Sequence, residues 1–284
     1  MLREVNAIPG FVEESFEFAV HEDGGNEPHD DVPNQFCVAI ERPSLTLDKV
    51  VDGMQRNEEY RYNAEMRSRY LSKVCMVLRL VAKSIRHLHQ QGFVHGDISL
   101  SACGKFEDTW KLMNLIGSRR HGEIFAPTRL GESSPPEAVE MLNVMIESSR
   151  DAGRKRATFV SELEADPAID MWCFGKLAFE AFTGKKLIPF DSEKIIRNDN
   201  RSLLKLLKWN ESDLRDVISY LRDAGVSTLG ADLVSYCLLP NPEERPQNMD
   251  EILDHPFWKD MRRRTTSSSR LNKGSKQDYS MQEI

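Results

Sequence analysis

The spacing of apolar residues predicts a mainly helical chain. The strongest signal covers residues 66–91, where apolar side chains recur every three or four positions and form one stripe, as in a helix packed on a core. The stripe consists of Leu71, Val74, Cys75, Leu78, Val81, Ala82, Ile85 and Leu88. Gly92 follows as a helix stop. Weaker patterns predict further helices over 136–148, 168–183, 200–208, 211–224, 228–239 and 247–254.

Short apolar runs predict a few strands in the first 120 residues. Residues 16–20 and 35–40 have the length of strands, and the pieces at 103–106 and 110–115 are strand-like. Between the first two runs, residues 21–34 are polar and contain Gly and Pro, which predicts an exposed loop.

Composition and charge narrow the class of protein. The chain has 284 residues, of which 40% are hydrophobic and 29% charged, values that argue against collagenous, membrane-spanning and wholly disordered proteins. A net charge of −7 argues against a general nucleic-acid binder. No apolar run approaches the roughly 20 residues that span a bilayer, and the start lacks the features of a secretory signal. We therefore expect an intracellular protein that contacts neither nucleic acid nor membrane.

The cysteine and histidine residues form no recognisable site. The five cysteines lie far apart without a C-x-x-C pair, which favours buried reduced thiols over disulfides or zinc. The histidines offer no set of metal ligands, and His87 and His89 are expected to be surface or capping residues.

Six segments, in order, resemble the second half of a eukaryotic protein kinase domain. The first, GFVHGDIS at 92–99, resembles the catalytic loop H-R-D-L-K-P-E-N. The others are KLMNLI at 111–116 (resembling the D-F-G region), SPPE at 134–137 (A-P-E), DMWCFG at 170–175 (D-x-W-S-x-G), FTGKK at 182–186, and LPNPEERP at 239–246 followed by HPFW at 255–258.

The resemblance implies an α+β, protein-kinase-like fold of Ser/Thr type. It places a mainly helical C-terminal lobe over 44–260 and a reduced N-terminal lobe with its hinge over 1–43. A basic, Ser/Thr-rich tail over 261–284 is expected to be disordered.

The resemblance also implies a degenerate nucleotide site. No Gly-rich phosphate loop is visible, and VAIE at 38–41 carries Glu41 where the family's strand motif has lysine. If Ile40 is the gatekeeper, Pro43 lies where a hinge N–H normally meets adenine, and proline has no N–H to donate. Glu41 and Pro43 are thus weak candidates for contact with ATP.

In the catalytic loop, Asp97 matches the aspartate that accepts a hydrogen bond from the substrate hydroxyl, and His95 matches the structural histidine of that loop. Ser99 replaces the lysine that contacts phosphate in the family.

The metal ligands of the family are replaced as well. Ala102 lies at the place of the metal-binding asparagine, and Asn114 lies at the place of the D-F-G aspartate, where a neutral amide is a weaker ligand for Mg²⁺. The register at Asn114 is open by one residue, because Gly117 can stand for the glycine of the motif.

The scaffold residues of the family are present. Glu137 and Arg245 match a buried ion pair that ties the activation segment to the helical lobe, and Asp170 matches a carboxylate that accepts backbone N–H groups of the catalytic loop.

Two basic stretches suggest phosphorylation. The segment between Glu137 and Asp170 is longer than the family uses and contains DAGRKRA at 151–157, directly before Thr158. Thr266 follows three arginines in the tail. The alternative for both stretches is a solvated run of charge without modification.

These features predict a pseudokinase, a catalytically impaired kinase-like domain that needs no cofactor and acts through protein partners as a regulatory or scaffolding module. The alternative is a divergent or truncated Ser/Thr protein kinase that uses Asp97 with ATP and Mg²⁺. A third hypothesis is a fragment without function.

Overall fold

The computed structural model describes residues 17–20, 36–39, 41–125, 134–141, 163–188 and 201–261. Helices predominate and strands are short. The strands are β1 (Glu17–Val20), β2 (Phe36–Ala39), β3 (Leu45–Thr46), β4 (Phe93–Val94), β5 (Cys103–Phe106), β6 (Thr109–Leu112) and β7 (Arg119–Arg120). The helices are α1 (Leu47–Arg56), α2 (Glu58–Tyr62), α3 (Ala64–Gln90), α4 (Pro167–Thr183), α5 (Arg201–Leu207), α6 (Glu211–Asp223), α7 (Thr228–Cys237) and α8 (Met249–Asp254). Residues 136–141 and 256–261 are also helical.

The described strands form three small antiparallel sheets. β1 pairs with β2, β4 pairs with β7, and β5 lies between β3 and β6. β4 lies at the start of the catalytic-loop segment 92–99, and it pairs with β7, which follows the D-F-G region.

The long helix α3 confirms the strongest sequence prediction. Asn63 caps it by accepting hydrogen bonds from the N–H groups of Glu65 and Met66, as an N-cap residue does. The predicted stripe is buried from Val74 to Leu88. After the helix, Gly92 has a φ of +79°, a left-handed conformation that glycine adopts without strain.

Helix α4 is the centre of the fold. Asp166 caps its start and Pro167 occupies its first turn, where a missing N–H costs nothing. Every residue from Ile169 to Phe182 is buried. The helices α3, α6 and α7 all contact α4 and cover it. An apolar helix enclosed in this way shows no single hydrophobic face.

Gly175 lets α7 approach α4 closely. A Cβ atom at this position would lie 2.7 Å from Cβ of Cys237 and 3.0 Å from Cγ of Leu238. The backbone of Gly175 is therefore in contact with the side chains of Cys237 and Leu238, and a side chain at 175 would have to displace them.

We predict that Gly175→Ala destabilises the fold by about 1–3 kcal/mol, the usual cost of overpacking a core. Gly53 in α1 is the matched control, because nothing lies within 4 Å of a Cβ there. Gly53→Ala is expected to stabilise by about 0.5–1 kcal/mol, since alanine is the better helix former. Urea unfolding of both variants measures the difference, and equal effects of the two substitutions would contradict this packing.

Several other sequence predictions have clear outcomes. The strands at 16–20 and 35–40 are confirmed as β1 and β2, and the helices from 168 to 254 are confirmed to within two residues at each end. The predicted strand at 110–115 is wrong beyond Leu112, where the chain turns into a 3₁₀ helix, Leu115–Gly117. The helix predicted at 136–148 is observed over 136–141, and its remainder, the loop at 21–34 and the tail beyond 261 lie outside the described residues.

Helices α1 and α2 were not predicted. Only Leu47 and Val51 of α1 are buried, so its apolar pattern is too sparse to stand out.

The expectation of buried reduced thiols is confirmed for Cys75, Cys103, Cys173 and Cys237. Burial raises the pKa of Cys75 and of Cys103 to about 12, so these thiols stay protonated at neutral pH.

Among the described helices, none combines the length and the apolar character needed to cross a membrane.

Candidate functional site

The catalytic-loop segment is hydrogen-bonded to the start of α4. Asp170 is fully buried, and its Oδ2 and Oδ1 accept hydrogen bonds of 2.8 Å from the backbone N–H groups of His95 and Gly96. The structure thus brings Asp170 to the loop in the way that the resemblance implies.

His89 completes this arrangement and was assigned wrongly from sequence. It was expected to lie on the surface or to cap a helix, but its side chain is only 11% exposed and its Nε2 donates to Oδ2 of Asp170 at 2.8 Å. The position directly follows the buried Leu88, so the last turn of α3 directs the imidazole towards α4.

Burial by itself would raise the pKa of the Asp170 carboxyl. The hydrogen bond and charge of His89, together with the N–H of Gly96, outweigh burial and hold the pKa of Asp170 below its ordinary value. The carboxylate is therefore ionised at neutral pH and accepts all of these bonds.

His95 links the catalytic loop to the D-F-G region. Its Nε2 lies 2.9 Å from the carbonyl oxygen of Met113, and its Nδ1 lies 3.2 Å from the backbone nitrogen of Asp97. A carbonyl only accepts and a backbone N–H only donates. The geometry therefore requires the neutral imidazole with its proton on Nε2.

Asp97 and Asn114 lie on the two segments that His95 joins, and both are exposed. Asn114 has a φ of +66°, a left-handed conformation that asparagine tolerates better than most residues. Its neighbour Met113 donates its backbone N–H to the carbonyl of Ala102 at 2.8 Å. The side chains of Asp97 and Asn114 are therefore both exposed, on two loops that His95 links.

Ser99 and Ala102 lie at the positions where the resemblance places a lysine and an asparagine. Ser99 Oγ is 3.0 Å from Ser101 Oγ, within the same short turn. Ala102 is 2% exposed and its methyl group packs in the core. Neither side chain carries a charge, and Ala102 has no side-chain atom that can coordinate a metal ion.

The hinge candidates lie beside β5. Ser44 donates both its N–H and its hydroxyl to the carbonyl of Lys105, and Pro43 approaches so closely that a Cβ atom at Gly104 would lie 2.9 Å from Cβ of Pro43. Glu41 is exposed. Pro43 therefore contacts β5 two residues beyond Ala102.

The scaffold pair is present in bidentate form. Arg245 donates to Oε1 and Oε2 of Glu137 at 2.7 and 2.9 Å. Its other N–H groups donate to the carbonyls of Ala168, Leu239 and Pro240, and its guanidinium lies over the ring of Trp172. The structure brings together the residues that the resemblance pairs.

The segment after the D-F-G region is fixed against the chain before α4. Gly122 donates to Ala165, Ala165 donates to Glu123, and Phe125 donates to Leu163. The ring of Phe125 lies over Gly96, so a Cβ atom at this position would overlap with it. The position that is arginine in the catalytic-loop motif is therefore filled by a ring from another segment.

We predict that Gly96→Ala destabilises more than Gly92→Ala. Both glycines have a φ near +75 to +79°, which costs alanine about 1–2 kcal/mol, but nothing lies within 4 Å of a Cβ at Gly92. The excess at Gly96 reports the crowding by Phe125. Chemical unfolding measures it, and the excess should vanish when Phe125→Ala is added; an excess that persists would rule out this contact as its cause.

We predict that Asp170→Asn destabilises by about 3–5 kcal/mol, because it removes one partner of a buried charged network. Asp250→Asn is the control, since Asp250 forms an exposed ion pair with Arg86, a type worth about 0–1 kcal/mol.

The loss at Asp170 should depend on pH in a defined direction. The folded pKa is lowered, so the stabilisation is present above the unfolded value of about 3.9 and is lost as pH falls through the folded pKa. The difference in unfolding free energy between wild type and Asp170→Asn should therefore shrink below about pH 4. A difference unchanged between pH 7 and pH 3 would contradict the assignment.

The chain is similar in sequence to known protein kinases. No family model matches the chain. A protein described as Aurora kinase, from Encephalitozoon cuniculi, is 29% identical over 118 residues, which cover 38% of this chain and 38% of that protein. Serine/threonine-protein kinase PLK4 from Nematostella vectensis is 28% identical over 189 residues, 66% of this chain and 16% of that protein. The similarity supports a protein-kinase-like domain.

The chain spans well under two thirds of the length of these relatives: the matched part covers 38% of the first and 16% of the second. Thr158 and Thr266, the candidate phosphorylation sites, lie outside the described residues. Within those residues, no three His, Cys, Asp or Glu side chains are grouped so as to hold a metal ion. The sequence had no signal for the role of His89 or Phe125, because each acts on a residue far away in the chain.

Proposed function

We propose that this chain is a pseudokinase, a protein-kinase-like domain with impaired phosphoryl transfer that serves as a regulatory or scaffolding module for protein partners. The observation that carries the proposal is a contrast. The buried groups that hold the catalytic loop and the activation segment are present, whereas three groups that the family uses for phosphate and metal chemistry are replaced by Ser99, Ala102 and Asn114.

The retained scaffold supports a role in binding. Asp170, His89 and His95 hold the loop, and Glu137 with Arg245 holds the activation segment. These contacts preserve a shaped surface, which a scaffolding module needs regardless of catalysis.

The replaced groups argue against efficient catalysis. Phosphoryl transfer depends on positioning and on neutralising the charge of the phosphates. Ser99 has no charge, Ala102 has no oxygen in its side chain and Asn114 has no carboxylate. If each loss costs about 3 kcal/mol, two together lower the rate by about 10⁴-fold.

Nucleotide binding is also expected to be weak, because groups that contact adenine and the metal ion in the family are missing. Pro43 has no N–H for an adenine ring, and the buried methyl group of Ala102 offers nothing to a metal ion. ATP and Mg²⁺ are not required for the proposed role.

We predict that millimolar ATP with Mg²⁺ leaves the thermal unfolding midpoint of the full chain unchanged. A ligand at 100 times its Kd would add about 2.7 kcal/mol of stability, a rise of several degrees, so the measurement is sensitive. The matched control carries Ala102→Asn and Asn114→Asp, which restore the family's two metal ligands. Its midpoint is expected to rise with ATP and Mg²⁺ if the scaffold is intact.

A rise in the wild-type midpoint that requires both ATP and Mg²⁺ would contradict the proposal. The alternative, a divergent Ser/Thr protein kinase, is favoured by one observation: Asp97 is exposed on a loop that His95 and Asp170 hold in place. Phosphate transfer to a protein substrate that is lost in Asp97→Asn would establish that alternative.

A further inference from the structure

A cavity of about 360 Å³ lies between α3, the end of α4, the α6–α7 connection and the helical residues 256–261. None of the catalytic-loop or scaffold residues discussed above lines it. Its volume falls within the range of roughly 300–1,000 Å³ typical of small-molecule sites.

The inner wall of the cavity is apolar and well packed. It is formed by Leu71, Cys75, Phe182, Val226 and Phe257. Phe257 makes an edge-to-face contact with Phe182, with ring centroids 6.2 Å apart, so two aromatic side chains brace each other. Because burial raises the pKa of Cys75 to about 12, the wall carries no charge and no reactive thiolate.

The rim is polar and carries the hydroxyl groups of Ser68, Ser72 and Ser227, two of which have partners. Ser72 Oγ donates to the carbonyl of Ser68, and Ser227 Oγ accepts from the N–H of Gly230. Arg67 also lines the cavity, and its guanidinium forms neither a hydrogen bond nor an ion pair with any residue in the described part of the chain. It lies near enough to Tyr60 for its charge to oppose the rise that burial causes in the pKa of that phenol. The mouth of the cavity thus presents a half-buried cation that is available to a ligand.

The charge of Arg67 itself favours an anion on its side of the cavity. Helices α3 and α7 begin at the cavity, while α4 and α6 end there, so the partial positive charges of two helix N-termini are opposed by the partial negative charges of two C-termini. Asp223, at the C-terminal end of α6, is the opposing charge on the rim. It is exposed, so water and salt screen it more than they screen the half-buried Arg67.

We propose that this cavity binds a small anionic amphiphile as a free ligand. Its hydrocarbon body packs against Leu71, Val226 and Phe257, and its acidic head forms a charge-assisted hydrogen bond with Arg67. The proposal is independent of the proposed pseudokinase role, since the cavity shares no residue with the candidate site.

The test uses three ten-carbon probes of equal length, decanoate, decanol and decylamine, at concentrations below micelle formation. Each is titrated into the full chain labelled with ¹³C at its methionine methyl groups. Met261 lines the cavity, whereas Met141 and Met171 are buried away from it, so the spectrum locates binding; Met261→Leu assigns the signal. We expect decanoate to shift the Met261 resonance saturably and to bind about tenfold more tightly than decanol, with decylamine weakest.

Two variants separate the wall from the rim. Ser72→Phe fills the cavity and should abolish binding of decanoate, while Lys73→Phe, at the next and exposed position of α3, should bind as wild type. Arg67→Gln should reduce decanoate to the affinity of decanol and leave decanol unchanged. Because Arg67 is at the rim, this variant tests the proposal even if Ser72→Phe fails to fold.

Three results would overturn the proposal. The first is binding of decanoate that is no tighter than binding of decylamine, and the second is binding of decanoate that survives Ser72→Phe. The third is a Met261 resonance that shifts with protein concentration in the absence of ligand, which would indicate a second copy of the chain as occupant. Binding to phosphatidylglycerol vesicles that is lost in Ser72→Phe, with no effect of free decanoate on Met261, would assign the cavity to a membrane lipid instead.

Discussion

The guanidinium of Arg245 is the constraint on which the arrangement of the helical lobe depends. It is fully buried, and because arginine does not lose its proton, all five N–H groups must find acceptors. They find the two oxygens of Glu137 and the carbonyls of Ala168, Leu239 and Pro240. Three parts of the chain therefore have to meet at one point, and removing any of them would leave a buried donor unsatisfied.

The start of α4 connects this constraint to the candidate site. Ala168, which accepts from Arg245, is two residues before Asp170, which holds the catalytic loop. The loop thus takes its position from a helix that the core encloses on all sides. Asp97 on this loop and Asn114 on the D-F-G segment are exposed. Substitutions at exposed positions usually change stability little, so the side chains there can differ from the family's while the buried contacts persist.

Much of the lobe was predictable from local pattern, and specific partners were not. The stripe of α3 and the apolar pattern over 168–183 are local features, so the sequence identified both helices. The resemblance identified Asp170, Glu137 and Arg245 as scaffold residues. It had no signal for His89, which lies 81 residues from its partner, or for the ring that covers Gly96.

The sequence by itself determined the long helix, most of the later helices, the burial of four cysteines and the groups of the kinase pattern that are replaced. Periodicity and residue type are sufficient for these, since both are local. Only the tertiary structure decided the tautomer of His95, the closeness of α4 and α7 at Gly175, and the cavity beside Arg67. Each depends on groups that folding brings together from distant parts of the chain, where distance and direction, rather than residue type, decide whether they bond.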